Sequence, residues 1–247
     1  MDLMYPPRIY IYKGVKQMEI LLNGVRKFQE TYFRSDREHF EKLASGQTPC
    51  ALFITCSDSR IDPNLLTQTK PGEIFVLRNA GNIVPPYDPH GNGESATIEY
   101  ALSVLKIRDI VVCGHSDCGA VKARAHPQTN PGLPAVSGWL KHFAPKLREH
   151  LQTGYETDKH LNLNRLIEKN VLVQLSHLQT HPSVSAGLIT GEVQLHAWVY
   201  KIDTGSVLIH DEQFSGFTPF DRNKDSTEHA LQPVVPPTRA IGARWQE

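Results

Sequence analysis

The sequence predicts an α/β fold built on a mainly parallel central sheet flanked by helices. Two observations carry that prediction. Three short apolar runs, Ala51-Leu52-Phe53-Ile54-Thr55-Cys56, Glu73-Ile74-Phe75-Val76-Leu77-Arg78 and Asp109-Ile110-Val111-Val112-Cys113-Gly114, have the length and composition of strands buried on both faces. They alternate with segments of helical periodicity, and strands separated by helices pair in parallel.

The remaining elements follow in chain order. Residues 18–45 form a helical arm, with Ile20, Leu21, Val25, Phe28, Tyr32 and Phe33 at roughly helical spacing. Phe40 and Leu43 continue the apolar side in a second segment, which Gly46 ends. Gly93 to Lys106 is helical, with Ile98, Ala101, Leu102 and Leu105 on one side. Trp139 to Leu151 is a further helix, and Leu161 to Gln179 a longer one carrying Leu163, Leu166, Ile167, Val171, Leu175 and Leu178. Pro182 suits the first turn of a short helix that ends near Gly187 or Gly191. Gln194 to Ile202 and Ser206 to Asp211 read as a hairpin around Asp203-Thr204-Gly205, extending the sheet at its edge. From Pro219 the pattern dissolves into a polar segment with Pro233, Pro236 and Pro237, a tail that is disordered or draped over a partner.

Composition narrows the function. The 247 residues are 40% hydrophobic and 21% charged, with zero net charge and no cluster of Lys or Arg, so no electrostatic footprint for nucleic acid exists. No apolar run approaches the ~20 residues that cross a bilayer. Residues 1–17 carry Pro6, Pro7, Lys13 and Lys16 among aromatics and do not read as a secretory signal. Four Cys make no disulfide framework in a chain of this length, which points to a reducing compartment.

Chemistry concentrates in two stretches, Cys56-Ser57-Asp58-Ser59-Arg60 and His115-Ser116-Asp117-Cys118. Each lies at the carboxyl end of a strand-like run, where open parallel sheets collect their sites. Two thiolates, an imidazole and a carboxylate are a ligand set that zinc takes when one position stays open for chemistry. A structural zinc site would more often show paired Cys-x-x-Cys knuckles, which are absent. Asp58 has two readings: a fourth ligand that closes the shell, or the partner of Arg60, which projects from the same side of an extended stretch. Cys113, inside an apolar strand, and Cys50 read as structural.

With Arg78-Asn79-Ala80-Gly81-Asn82 and Gly114-His115-Ser116-Asp117-Cys118-Gly119, these motifs resemble the β-class carbonic anhydrases from about Gly24 to Asp211. The wording of residues 24–42 and 51–85 is most similar to cyanobacterial and carboxysomal members. The resemblance implies Zn²⁺ held by Cys56, His115 and Cys118, an orienting dyad of Asp58 and Arg60, and a dimer whose pockets form at the subunit interface. It implies attack of zinc-bound hydroxide on carbon dioxide to give bicarbonate and a proton. Gln47, Phe75, Tyr100 and Gly119 stand at the pocket positions of the plant-like branch, with Gln47 contributed by the neighbouring subunit. Phe53 and Thr55 replace the Trp and Gly of the other branch, so its second bicarbonate site is not expected, and the open form of the metal site is. Residues 18–218 then form one catalytic domain, with 1–17 as an upstream extension and 219–247 as a tail. The resemblance also implies a homodimer or higher homo-oligomer in the cytoplasm, with a carboxysome and its shell proteins as a possible setting. Two alternatives stand beside it: hydrolysis of carbonyl sulfide or carbon disulfide on the same scaffold, and a non-catalytic, zinc-stabilised assembly protein.

Overall fold

A computed structural model describes residues 16–125, 132–143, 159–211 and 216–220. The chain divides into two compact units between Gly46 and Gln47.

The described part of the first unit is the helical arm. Helix α1 spans Lys16–Lys27, runs through a π-helical turn at Phe28–Tyr32 and a last turn at Phe33–Ser35, and breaks at Asp36. Helix α2, Arg37–Leu43, follows with Arg37–Glu41 and Glu38–Lys42 pairs one turn apart. The rings of Phe28, Tyr32, Phe33 and Phe40 pack on one another with centroids 5.1–6.2 Å apart. Ile20, Leu21 and Leu22 remain exposed. The expected two-segment arm is thus present, and its apolar residues are exposed in the single chain.

The second unit is built on a six-stranded sheet in the order β2-β1-β3-β4-β5-β6. Strands β1 (Ala51–Cys56), β2 (Ile74–Asn79), β3 (Asp109–His115) and β4 (Gln194–Tyr200) are parallel. Strands β5 (Val207–Asp211) and β6 (Gly216–Pro219) add on antiparallel. β1 and β3 lie in the middle and are buried almost throughout, as their continuous apolar runs predict. β2 departs from that expectation. It is only half-buried, because it is the outer strand of the sheet and, among the described residues, no strand pairs with it on its outer side. The hairpin of β4 and β5 forms as read, but β6 pairs outside it and takes the edge. Four residues with one Phe, ending at a Pro, carry too short a pattern to announce a strand. The rest of the expected tail, residues 221–247, lies outside the described residues.

The crossovers supply the helices. α3 (Pro63–Thr67) is capped by Asp62, whose carboxylate accepts from Leu65 N at 3.1 Å, and α4 (Gly93–Ser103) by Asn92, which accepts from Ser95 N at 2.8 Å. α4 stops short of the predicted Lys106, which sits in the left-handed region at φ 59°. α5 (Gly119–Ala125) and α6 (Pro134–Trp139) come next. Trp139 therefore ends a helix that Pro134 starts, followed by one 3₁₀ turn at Leu140–His142. The remainder of the expected Trp139–Leu151 helix lies outside the described residues. α7 (Lys159–Leu178) packs on β3 and β4, and α8 (Pro182–Ile189) on α4. α7 comes so close to the sheet that a Cβ on Gly114 would sit 2.8 Å from Val171 Cγ2. Glycine at that position lets the helix seal the end of β3.

Candidate metal centre

The site forms where β1 and β3 stop side by side. Parallel pairing sets Thr55 opposite Cys113, so the next residues along, Cys56 and the strand-ending His115, emerge at the same end of the sheet. The chain then turns through Asp117, held in the left-handed region at φ 61°, and delivers Cys118 just before α5. Ser116 pins this turn to the neighbouring strand: its amide donates to Tyr200 O at 2.8 Å and its hydroxyl accepts from Ile202 N at 2.9 Å. One ligand atom each from Cys56, His115 and Cys118 lies within 4.8 Å of the others, and all three residues are buried.

The donor chemistry fits a metal. His115 Nδ1 lies 2.9 Å from Ser116 O and so carries the ring proton, which leaves a lone pair on Nε2. Nε2 is buried with no hydrogen-bond partner, an expensive arrangement unless an electrophile meets it. The two sulfurs are 4.0 Å apart. The contact with the Cys118 sulfur, with help from the amides of Gly81 and Asp58, holds Cys56 below the usual thiol range. The same contact and burial push Cys118 far up. A bound cation would allow both sulfurs to ionise. Backbone amides are ready for that state. Cys56 Sγ accepts from Asp58 N at 3.4 Å and from Gly81 N at 3.3 Å, and the amides of Ala120 and Val121 at the start of α5 serve Cys118.

Beside the cluster, Asp58 is gripped by Arg60. Arg60 Nε donates to Oδ1 at 2.9 Å, Nη2 to Oδ2 at 2.8 Å, and the Arg60 amide to Oδ1 at 3.0 Å. This bidentate hold keeps the Asp58 carboxyl far below the ordinary carboxylate range, and Oδ2 is 3.8 Å from His115 Nε2. Sequence reasoning missed what steadies the pair. Arg60 Nη1 also donates to Asp117 Oδ2 at 3.1 Å, and Lys122 pairs with the other oxygen of Asp117. Arg78 straps the 56–61 turn by donating to the carbonyls of Cys56 (3.0 Å), Asp58 (2.8 Å) and Ile61 (2.9 Å). Asp117 lies inside a quoted motif and Arg78 opens another, but neither spacing reveals a contact made across the sheet.

Of the predicted pocket residues, Gln47, Phe75 and Tyr100 do not join this cluster within one chain. Register sets Phe75 opposite Leu52 and Asn79 opposite Cys56, so Phe75 lies about 13 Å from the ligand end of the sheet at ~3.3 Å per residue. Tyr100 packs on Phe75 with ring centroids 6.1 Å apart, and exposed Gln47 precedes the far end of β1. Gly119 does sit at the site, directly after Cys118. Phe53 and Thr55 point into the core, where Thr55 Oγ1 donates to Cys113 O at 2.8 Å. Cys113 is fully buried, and its thiol is pushed up to about 12, which makes it inert packing; Cys50 is exposed.

A buried Cys-His-Cys cluster at the carboxyl end of a parallel sheet, with an anchored carboxylate beside it, defines a metal-dependent lyase or hydrolase. The sequence profile described as carbonic anhydrase matches residues 51–207. A carbonic anhydrase of Synechocystis is 45% identical over 221 residues, covering 87% of this chain and 78% of its own. The solved β-carbonic anhydrase CcaA superposes with a TM-score of 0.79 at 44% identity, covering 83% of this chain and all of that one. Tetrameric β-carbonic anhydrases of Sordaria macrospora share 28% identity at a TM-score of 0.70, over 79% of this chain and 97% of theirs. The chain belongs to the carbonic anhydrase family, in its β class. It is an enzyme that interconverts carbon dioxide and bicarbonate.

Proposed function

We propose that Cys56, His115 and Cys118 hold one Zn²⁺ and that Asp58 and Arg60 orient the reacting oxygen. The observation that carries this reading is the buried, partnerless Nε2 of His115 facing two sulfurs. When bound, Zn²⁺ supplies the Lewis acidity that makes water a nucleophile near neutral pH. The protein's contribution is geometric and electrostatic. Asp58, kept anionic by Arg60, can only accept a hydrogen bond, so it points a lone pair of the attacking oxygen at the carbon of CO₂. A C–O bond forms, bicarbonate leaves, and the proton passes to solvent. Asp58 is held by Arg60 outside the three-ligand cluster, so Cys56, His115 and Cys118 would hold the metal and leave a fourth position for water.

The substrate pocket is shared between subunits. The register separation of Phe75 from the ligand end of its own sheet supports a reading in which Gln47, Phe75 and Tyr100 line the site of a partner, with Phe75 and Tyr100 as apolar walls for a linear, uncharged substrate. Gly119 leaves open space beside the last ligand, since a Cβ there would meet nothing within 4 Å. The exposed apolar residues of α1 support association. The catalytic domain is residues 18–218, preceded by an extension and followed by a tail. The chain's relatives include carbonic anhydrases of the cyanobacteria Synechocystis and Synechococcus elongatus, which supports a carboxysomal setting. No described helix is long and apolar enough to cross a membrane.

Stopped-flow hydration of CO₂ with matched zinc analysis tests the core of the reading. One zinc per chain together with fast hydration is expected; purified, folded protein that takes up no stoichiometric zinc overturns it.

A further inference from the structure

Helix α7 was read from sequence by its apolar residues, yet Asn170 and Gln174, one turn apart, are also buried, at 1% and 0% exposure. Burying two primary amides is costly unless each polar atom is used. Here they are used on one target, the loop that follows β2. Asn170 Nδ2 donates to Gly81 O at 3.0 Å. Gln174 Nε2 donates to Asn170 Oδ1 at 2.8 Å, and Gln174 Oε1 accepts from Val84 N at 2.8 Å. One turn on, His177 Nδ1 meets Val84 O at 2.7 Å. The gripped loop carries Gly81, whose amide donates to Cys56 Sγ. Gly81 adopts φ 88°, and a Cβ there would sit 2.9 Å from Ala120 Cβ, so the amide reaches the sulfur only with the loop held in this shape.

We propose that Asn170 and Gln174 are positioning residues for the metal ligand Cys56: by fixing Gly81 they keep its N–H on the thiolate and set how much charge that sulfur gives to the metal. The inference rests on Cys56 being a metal ligand. An N–H···S bond withdraws electron density from the sulfur, which leaves more positive charge on the metal. This offsets part of the neutralisation that two thiolates impose, and outer hydrogen bonds of this kind tune metal sites generally.

Cobalt(II)-loaded full-length protein tests the inference through the thiolate-to-cobalt charge-transfer bands, which read sulfur donor strength independently of turnover. Asn170→Ala and Gln174→Leu are expected to move those bands to lower energy, because a thiolate that loses its N–H donor gives more charge to the metal. Leu178→Ala, a buried core change on the same helix whose apolar side chain can form no hydrogen bond to the loop, is the control. It should lower the melting temperature and leave the bands in place. If the amide variants do not fold, His177→Ala removes only the half-buried contact to Val84 and should give a smaller shift of the same sign. Unmoved bands in folded, cobalt-loaded variants overturn the inference, as does an equal shift in Leu178→Ala. Wild-type protein that binds cobalt without thiolate bands overturns the ligand assignment itself, and the two failures are therefore separable.

Discussion

Asp58→Asn isolates the orienting carboxylate from the metal. The side chain keeps its size but exchanges one oxygen for an NH₂. In the native site both oxygens are engaged by Arg60, through Nε at 2.9 Å and Nη2 at 2.8 Å, and Oδ2 is the oxygen nearest His115 Nε2. An amide therefore has two poor choices. It can present its NH₂ to Arg60, donor against donor, or present it to the reacting oxygen, which then loses the acceptor that aims it. Loss of one positioning hydrogen bond of this kind costs about 10²–10³-fold in kcat/KM. The ligand cluster does not include Asp58, so zinc content should stay at the wild-type value. Arg60 keeps Asp117, so the melting temperature should move by about 4 °C or less. Stopped-flow hydration with a pH indicator, zinc analysis and a thermal melt on the same preparation give all three readings. Activity within about threefold of wild type at full zinc occupancy would refute the orienting role, because the barrier arithmetic then leaves it almost nothing to contribute. Parallel loss of zinc and fold would instead make Asp58 structural.

Three further outcomes follow from the same geometry. Two thiolates leave the metal less residual charge than an all-histidine site, so kcat/KM should climb between about pH 6.5 and 9 in a stopped-flow series, and a flat profile contradicts the charge argument. Co-expression of Cys118→Ser with Gln47→Ala should restore about a quarter of wild-type activity, since half the dimers are mixed and each holds one intact site; a mixture no better than its parents rules out the shared pocket. Burial lowers the pKa of both His177 and His181, so the unfolded chain binds more protons as pH falls through the ordinary histidine range. Stability should therefore drop as pH decreases below about 6.5, and the double change His177→Gln, His181→Gln should flatten that slope in thermal melts compared with wild type; an unchanged slope removes these two residues from the explanation.

Much of the site was legible in advance because its signals are local. Cys56 and His115 follow apolar runs long enough to be strands, and the parallel α/β pattern alone implies that such ends share one edge of the sheet. The Asp58–Arg60 pair is likewise a two-residue relation. What escaped the reading depends on contacts between distant segments. The Arg60–Asp117–Lys122 chain of charges crosses from one strand end to another, and Arg78 clamps a turn roughly twenty residues upstream in sequence. Asn170 and Gln174 sit among apolar residues of α7 and look, from periodicity, like defects in its buried face. β2 has the same apolar character as β1, so nothing in its composition distinguished an outer strand from a central one.

The amino-acid sequence by itself determined the element types, the ligand set and the family, because apolar periodicity and side-chain chemistry are written residue by residue. Only the tertiary structure decided that His115 presents Nε2 rather than Nδ1, that Gly81 hydrogen-bonds the Cys56 sulfur, and that Phe75 lies about 13 Å from the ligand end of the sheet in its own chain. The physical reason is strand register: one fixed rise per residue sets which side chains from separate strands meet, and no single stretch of sequence contains that distance.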